Sequence, residues 1–295
     1  MRVIVFGATG VLGRELVPLL VRQGYSVRAP VRSPERAQSL LGAGVEVCPG
    51  DLLAQETRDR LPALMAGCQA VVHIATAIPR DFGAPGAWAD NTRLRTEGTR
   101  ALLDAALAVG VERYIQQSIV MAYVDGGDRL LGEDTPLDAS PSRAEICGPV
   151  IAMEGMVRGV PTDKMRWCIL RGGSFVGPGT AQDDTIRRLR EGAERVPCDG
   201  SNYISPVNVS DMAEAIAAAL QRAPGGSIFN IVDEPLRQGD YLDRLADLSG
   251  APSPLRDPSR PCPPSFRCSN AAAQAVLGWT PSHGIWPEPS SAGPG

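Results

Sequence analysis

The sequence contains no apolar run near the roughly 20 residues that a membrane-spanning helix needs, and its first short run, residues 3–6, ends at a glycine. We therefore expect neither a membrane partner nor a secretory leader. A cytoplasmic location is expected. A basic excess is absent too, since 29 Lys and Arg face 33 Asp and Glu for a net charge of −4. Because nucleic acids bind basic patches, the composition predicts no nucleic-acid partner.

The spacing of the cysteines excludes two further kinds of site. The seven cysteines form no Cys-x-x-Cys pair and show no metal-ligand spacing, so no metal site is expected. An odd number also excludes complete pairing, and buried, reduced thiols of a cytosolic protein are expected. Histidine is scarce, with two in the chain, and His73 lies in an apolar stretch. A structural role in the core is the favoured interpretation of His73.

Short apolar segments alternate with longer segments of helical spacing along the chain. Predicted strands lie at 2–6, 26–30, 45–48, 70–74, 113–118, 168–171 and 227–232, and predicted helices include 13–23 and 92–109. Strands separated by helix-length segments predict an α/β fold with a doubly wound parallel sheet, the Rossmann architecture.

Proline and glycine cluster in the second half of the chain and interrupt this alternation. We expect a single unit over 1–295 with a small C-terminal substrate lobe. The predicted Rossmann core comprises 1–171 and 202–233, and the predicted lobe comprises 172–201 and 234–286.

Three glycines spaced three residues apart follow the first predicted strand and precede the first predicted helix. Gly7 permits a tight turn, Gly10 lets the backbone approach a pyrophosphate, and Gly13 lets the helix lie close to the strand. The N–H groups and partial positive charge of the helix N-terminus favour phosphate there. The alternative is a glycine-rich turn without a ligand. The predicted dinucleotide contacts are Gly7, Thr9, Gly10, Val11, Leu12 and Gly13.

The end of the second strand indicates which dinucleotide binds. NAD enzymes usually carry an acidic residue there for the ribose hydroxyls. This chain has Arg32, followed by Ser33 and Arg36, which favours the 2′-phosphate of NADP(H) over a merely solvated arginine. The ends of later strands predict an adenine contact and a close approach to ribose, at Asp51, Leu52, Ile74, Ala75 and Thr76.

Several segments occur together in a familiar order: GATGVLGR at 7–14, GDL at 50–52, HIATA at 73–77, ILRGGSFVGPG at 169–179 and LGWTPS at 277–282. As a set they resemble the extended short-chain dehydrogenase/reductase family, also called the NAD-dependent epimerase/dehydratase family, over nearly the whole chain. The resemblance implies a nicotinamide dinucleotide and leaves a homodimer open. It also implies contacts beneath the nicotinamide from Gly173, Ser174 and Phe175.

The resemblance breaks at the acid/base groups. Members of the family use a Ser or Thr, a Tyr, and a Lys four residues after the Tyr, but this chain has no Tyr-x-x-x-Lys. Aligning residues 152–154 with the family puts Ile146 at the Tyr position and Val150 at the Lys position. Ile119 replaces the catalytic hydroxyl, and Arg95 replaces a supporting Asn. Ser118 matches the family's cofactor-side Ser and is the remaining catalytic candidate.

A dinucleotide-binding loop without nearby acid/base groups still permits hydride transfer, because the cofactor itself donates the hydride. General acid catalysis adds about 10²–10⁴-fold, and a ketone bonded to its own neighbouring hydroxyl can supply this help itself. An apolar pocket predicts a flat aromatic ketone as substrate. The predicted substrate-binding residues are Ile119, Met121, Tyr123, Ile146 and Met153, with Tyr123 as either a displaced acid or a packing residue.

The favoured function is therefore NADPH-dependent ketoreduction of an aromatic polyketide or similar secondary metabolite, with protonation assisted by the substrate. In lacking the Tyr and Lys, the chain is similar to the atypical ketoreductases of angucycline antibiotic pathways, of the simocyclinone type. Two alternatives stay open: a non-catalytic NADP(H)-binding regulator or assembly protein, and an epimerase or dehydratase. One fold hosts many reactions, so the resemblance does not decide between them.

Overall fold

The computed structural model describes residues 1–79 and 84–287. Its strands, in chain order, are β1 (Arg2–Phe6), β2 (Ser26–Val31), β3 (Val45–Pro49), β4 (Ala70–His73), β5 (Arg113–Ile119), β6 (Arg166–Gly172), β7 (Ser174–Val176), β8 (Arg195–Pro197), β9 (Tyr203–Ile204), β10 (Pro206–Asn208), β11 (Ser227–Ile231), β12 (Leu236–Arg237) and β13 (Leu255–Asp257). Seven of these form one sheet in the order β11-β6-β5-β4-β1-β2-β3, with every pair parallel. The predicted doubly wound sheet is confirmed.

The helices lie on both faces of this sheet and, for two of them, in a separate lobe. They are α1 (Val11–Arg22), α2 (Pro34–Leu41), α3 (Gln55–Asp59), α4 (Leu61–Met65), α5 (Ala89–Arg93), α6 (Thr99–Ala108), α7 (Ala144–Arg158), α8 (Ala181–Arg190), α9 (Val209–Arg222) and α10 (Gln238–Ser249). Among the described residues, none of the helices has the length and hydropathy needed to cross a bilayer.

Two predicted helices differ in detail from the observed ones. The first begins at Val11, directly after the capping Gly10, two residues before the predicted start. The predicted helix over 92–109 is divided into α5, a π-helical turn at Leu94–Gly98, and α6. Hydrophobic spacing does not distinguish an α turn from a single wider turn, and such turns are frequent at functional sites.

The sheet separates two hydrophobic layers. Val3 and Val5 of β1 pack toward Leu16 of α1 and Ile216 of α9, whereas Ile4 and its β1 neighbour Phe6 pack toward α4, α6 and α7. Burial on both faces explains why the strands are nearly continuous apolar runs. The carboxyl ends of the strands, and the loops that follow them, are consequently left to form the site.

A separate hydrophobic cluster lies in the segments assigned to the predicted lobe. It brings together α8 and α10 with β8, through residues that include Leu189, Val196, Leu242 and Leu245. Tyr241 stacks on Trp286 at 5.4 Å between ring centroids.

One expectation about cysteine is wrong. Cys198 and Cys262 form a disulfide in this lobe, although all thiols are expected to be reduced. The 64 residues between them carry no spacing signal. Pairing depends on β8 lying beside β13, which aligns Pro197 with Asp257. The remaining cysteines are free, and four of them are buried: Cys68, Cys147, Cys168 and Cys268.

Hydrogen bonds to Asp211 of α9 hold residues 282–283, near the C-terminus, against the core. This fully buried carboxylate accepts hydrogen bonds from the backbone N–H groups of Ser282, at 3.0 Å, and of His283, at 3.1 Å. The ring Nδ1 of His283 lies 2.7 Å from the same carboxylate. This hydrogen bond raises the pKa of His283.

A raised folded-state pKa makes the stabilisation by His283 depend on pH. The contribution is fully present below the unfolded pKa of about 6.5 and is lost as pH rises through the higher folded value. His283→Asn is therefore expected to destabilise the protein more at pH 6 than at pH 9, by about 1 kcal/mol or less because the side chain is partly exposed. Urea unfolding of both proteins at the two pH values measures this, and an equal difference at both values would contradict it.

Candidate active site

The glycine loop joins β1 to α1 at the carboxyl end of the sheet. Gly7 has a φ of +100°, and a Cβ built there would lie 2.7 Å from the backbone nitrogen of Ala75. A Cβ at Gly13 would lie 2.3 Å from the carbonyl oxygen of Ala8. At Gly10 the nearest atom is the Gly7 oxygen at 3.3 Å. Packing within the protein therefore requires the outer two glycines, whereas Gly10 has an open side suited to a phosphate.

This loop lies where the strand order reverses, between β1 and β4, which is where doubly wound sheets bind ligands. Thr9 is exposed, and Leu12 is buried in the core beneath the loop, so Leu12 can contribute only through its backbone. Gly10 caps α1 without a side chain, and the first N–H groups of the helix have no intrahelical acceptor. Across the crevice, Ala75 is half-buried and Thr76 is exposed directly after the buried Ile74.

The positions predicted to bind the adenosine half also line this edge. Arg32 is exposed directly after β2, and Ser33, the N-cap residue of α2, makes no side-chain capping bond. In the described part of the chain, Arg32 has no ion-pair partner. After β3, one oxygen of Asp51 accepts the N–H of Leu53 at 3.0 Å, while Leu52 is buried in the second hydrophobic layer.

Close backbone packing fixes the far side of the cleft. A Cβ at Gly173 would lie 2.1 Å from the carbonyl oxygen of Ser205, so glycine is required there. Ser174 and Phe175 follow in β7 and are half-buried. The hydroxyl of Ser174 lies 4.0 Å from the sulfur of Met121, which brings the predicted nicotinamide side and the predicted substrate side together.

Apolar packing fills the face of α7 at the position where the family has its Lys. Val150, at the Lys position, has no exposed surface and clusters with Cys147, Ala122 and Met153. Met153 is 1% exposed, so its prediction as a substrate contact is corrected: it is part of the core. Exposed apolar surface remains on Met121, which is 40% exposed, and on Ile146, which is 36% exposed, while Ile119 is half-buried.

The prediction that Ser118 contacts the nicotinamide or a substrate oxygen also needs correction. Ser118 has no exposed surface, and its hydroxyl donates to Oε1 of Glu154 at 2.6 Å. The carboxylate of Glu154 is held in turn by Arg171, with Nη2 at 2.7 Å and Nε at 3.0 Å. These contacts make Ser118 part of a buried polar network beneath the cleft.

Tyr123 belongs to the same network, which makes its prediction as a substrate contact wrong. Its side chain is fully buried, donating to Oδ1 of Asn230 at 2.7 Å and accepting from Nη1 of Arg171 at 2.7 Å. Burial raises the pKa of Tyr123 far above its usual value. Tyr123 is therefore a packing residue and not a displaced acid.

His73 is fully buried at the end of β4, with Nδ1 at 3.0 Å from Oε1 of Gln116. Burial lowers the pKa of His73 to about 4, so the ring is neutral at pH 7. This placement agrees with the structural role favoured from the sequence.

The sequence did not predict that two arginines, Arg171 and Arg95, are buried. Arg171 pairs with Glu154, and Arg95 lies on the π-helical turn with 3% of its surface exposed. The alignment identified Arg95 as the replacement for a supporting Asn. Its burial depends on how the turn packs against α7, and no local pattern encodes that packing.

The model of the NAD dependent epimerase/dehydratase family matches residues 3–232. The chain belongs to this family. Family membership and the geometry of the glycine loop make a nicotinamide dinucleotide its cofactor. Among solved structures, UDP-glucose 4-epimerase of Thermus thermophilus in complex with NAD is similar, with a TM-score of 0.78, 21% identity, and 96% and 95% of the two chains covered.

Two of the curated relatives that cover most of the chain are reductases with named substrates. A 3-diazoavenalumate denitrifying reductase from a Streptomyces species is 34% identical over 97% of this chain and 98% of its own length. A 4-hydroxy-2-methyl-3-oxo-4-farnesyl-3,4-dihydroquinoline-1-oxide ketoreductase of Stigmatella aurantiaca is 30% identical over 85% of this chain and 74% of its own. Both are reductases, and this protein is an oxidoreductase of the family. The similarity to angucycline ketoreductases stays a prediction.

Proposed function

We propose that the protein is an NADPH-dependent reductase that acts on an aromatic secondary metabolite and uses no acid of its own. One observation carries the proposal: the cofactor cradle is intact, while the Tyr and Lys positions hold Ile146 and the fully buried Val150. Bound NADPH supplies the hydride. The chain holds the cofactor and offers Ile119, Met121 and Ile146 as an apolar surface for a flat acceptor.

A ketone is the first candidate acceptor. Its reduction consumes a hydride and a proton, and the buried hydroxyls of Ser118 and Tyr123 are already bonded within the protein. The proton must therefore come from a hydroxyl beside the ketone or from water. The quinoline-oxide ketoreductase supports this candidate, since it is similar over 85% of the chain.

A diazo group is the second candidate, and it requires less of this site. A hydride added to the terminal nitrogen of an aryl diazonium ion gives an aryl diazene, which loses N₂ and leaves the hydrogen on the ring carbon. Charge and atoms balance without a proton from the protein. The denitrifying reductase that is similar over 97% of the chain supports this acceptor.

NADPH oxidation by the pure protein tests the proposal. The panel contains aryl diazonium salts, ketones with a neighbouring hydroxyl, and the same ketones without it, each with a control lacking protein. We expect turnover with the first two classes, and with the third only the slow rate that protonation by water allows, about 10²–10⁴-fold lower. Tight NADPH binding without turnover on any acceptor would instead support a regulatory or assembly protein.

Arg32→Glu tests the choice of dinucleotide. Loss of a charge-assisted contact to the 2′-phosphate costs about 1.5–3 kcal/mol, so the Kd for NADP⁺ is expected to rise about 10- to 100-fold. The Kd for NAD⁺ should change little, because NAD⁺ lacks that phosphate. Calorimetric titration measures both, with Arg22→Glu at the far end of α1 as the control. Equal weakening of NAD⁺ and NADP⁺ would remove Arg32 as the specificity residue.

A further inference from the structure

Arg95 is a buried cation for which the described part of the chain provides no oxygen partner. It is 3% exposed, and among the described residues its hydrogen-bond contact is Nη1 to the thioether sulfur of Met153 at 3.7 Å. A thioether is a weak acceptor, and buried charges in proteins are normally paired. Burial lowers the pKa of Arg95 to about 10, so the guanidinium still carries its proton at pH 7.

The carboxylate whose charge acts on Arg95 is that of Glu154, and both of its oxygens already accept hydrogen bonds from other residues. Its oxygens accept hydrogen bonds from Arg171 at 2.7 and 3.0 Å and from Ser118 at 2.6 Å. Arg171 and Ser118 therefore occupy three of the positions at which this carboxylate can accept a hydrogen bond, and none of the described hydrogen bonds joins it to Arg95. Within residues 1–79 and 84–287, the charge of Arg95 is left without a directly bonded anion.

The position of Arg95 relates it to the missing lysine. Met153, its contact, lies three residues after Val150 on α7, which is about one helical turn. The π-helical turn that carries Arg95 packs directly against this helix. Nε2 of His73, whose pKa the charge of Arg95 also lowers, is a second buried polar atom without a partner in the described residues.

We propose that Arg95 binds an anionic oxygen of the aromatic substrate, a carboxylate or a phenolate. It thereby provides a cation near the position where the family has a Lys and this chain has Val150. The inference rests on the proposed reductase function and deepens it. The phosphates of a dinucleotide belong at the glycine loop, and the neutral ribose hydroxyls would leave the guanidinium charge unpaired. The planar guanidinium can donate two parallel hydrogen bonds to a carboxylate, and these would replace its weak contact with the thioether of Met153.

Paired ligands that differ in charge test this assignment. The holoprotein with bound NADP⁺ is titrated with 4-hydroxycinnamate and with its neutral amide, 4-hydroxycinnamamide. Wild type is expected to bind the acid at least tenfold more tightly than the amide. Arg95→Met should bind both equally, Arg95→Lys should keep part of the preference, and Arg100→Met, a change at an exposed position of α6, should behave as wild type.

Three results would overturn the assignment: no preference in the wild type, an unchanged preference in Arg95→Met, or a loss confined to NADP⁺ affinity. Circular dichroism shows whether each variant is folded. If Arg95→Met does not fold, the comparison is made with Arg95→Lys. Failure of the reductase proposal looks different. In that case the wild type still binds the acid more tightly than the amide, but none of the acceptors in the panel leads to NADPH oxidation.

Discussion

Glu154→Gln is expected to lower the free energy of unfolding by about 3–5 kcal/mol, the cost of removing one partner from a buried ion pair. Glu154 and Arg171 are 2% and 3% exposed, and their ion pair is 2.7 Å long. Glutamine keeps the shape of the side chain but leaves Arg171 as an uncompensated buried charge. The same carboxylate accepts the hydroxyl of Ser118, so the change weakens that bond too.

Urea denaturation measures the loss, with Glu145→Gln on the exposed first turn of α7 as the matched control. The control removes the same charge from the same helix and should change stability by less than about 0.5 kcal/mol. A loss below about 1 kcal/mol for Glu154→Gln would show that the network is not a principal support of the fold beneath the cleft.

Gly10→Val is expected to weaken NADP⁺ binding by about 100-fold or more while the fold is retained. A Cβ at this position meets one protein atom, the Gly7 oxygen at 3.3 Å, so the side chain extends toward the predicted phosphate site. Excluding the pyrophosphate from the helix N-terminus removes several charge-assisted hydrogen bonds, each worth about 1.5–3 kcal/mol.

Two other glycines calibrate this result. Gly155→Ala in α7 meets nothing within 4 Å and should leave both the affinity and the fold intact. Gly13→Ala places a carbon 2.3 Å from the Ala8 oxygen and should reduce stability itself. Calorimetric titration with NADP⁺, alongside thermal unfolding, separates the two effects. Unchanged affinity in Gly10→Val would mean that the dinucleotide does not lie against this loop.

The sheet and the glycine loop were predictable because their signals are local. Alternating apolar and helical segments determine a parallel sheet, and the roles of Gly7 and Gly13 follow from a strand, a turn and a helix that are contiguous in sequence. The wider turn at Leu94–Gly98 was not predictable, since one additional residue in a turn leaves the apolar pattern nearly unchanged.

The candidate site was predictable in residue type and order, but not in which polar groups already had partners. Ser118 and Tyr123 align with positions near the reacting centre, yet Glu154 on α7 and Asn230 on β11 bind their hydroxyls. These partners come from distant segments. Similarly, Met153 was predicted to contact the substrate, whereas it packs with Cys147 and Val150 in the core.

The central claim is that this chain directs hydride from NADPH to an acceptor without an acid of its own, and isotope transfer tests it most directly. The unmodified protein is incubated with NADPH deuterated at C4 of the nicotinamide and with each productive acceptor, and the product is analysed by mass spectrometry. The account predicts one deuterium at the former carbonyl carbon of each productive ketone. With a diazonium acceptor the label first lies on a diazene nitrogen, where it exchanges with water, so the loss of deuterium from C4 of the nicotinamide is measured there instead. A protein that binds the deuterated cofactor yet neither labels a ketone product nor loses deuterium from C4 with the diazonium acceptor would contradict the account.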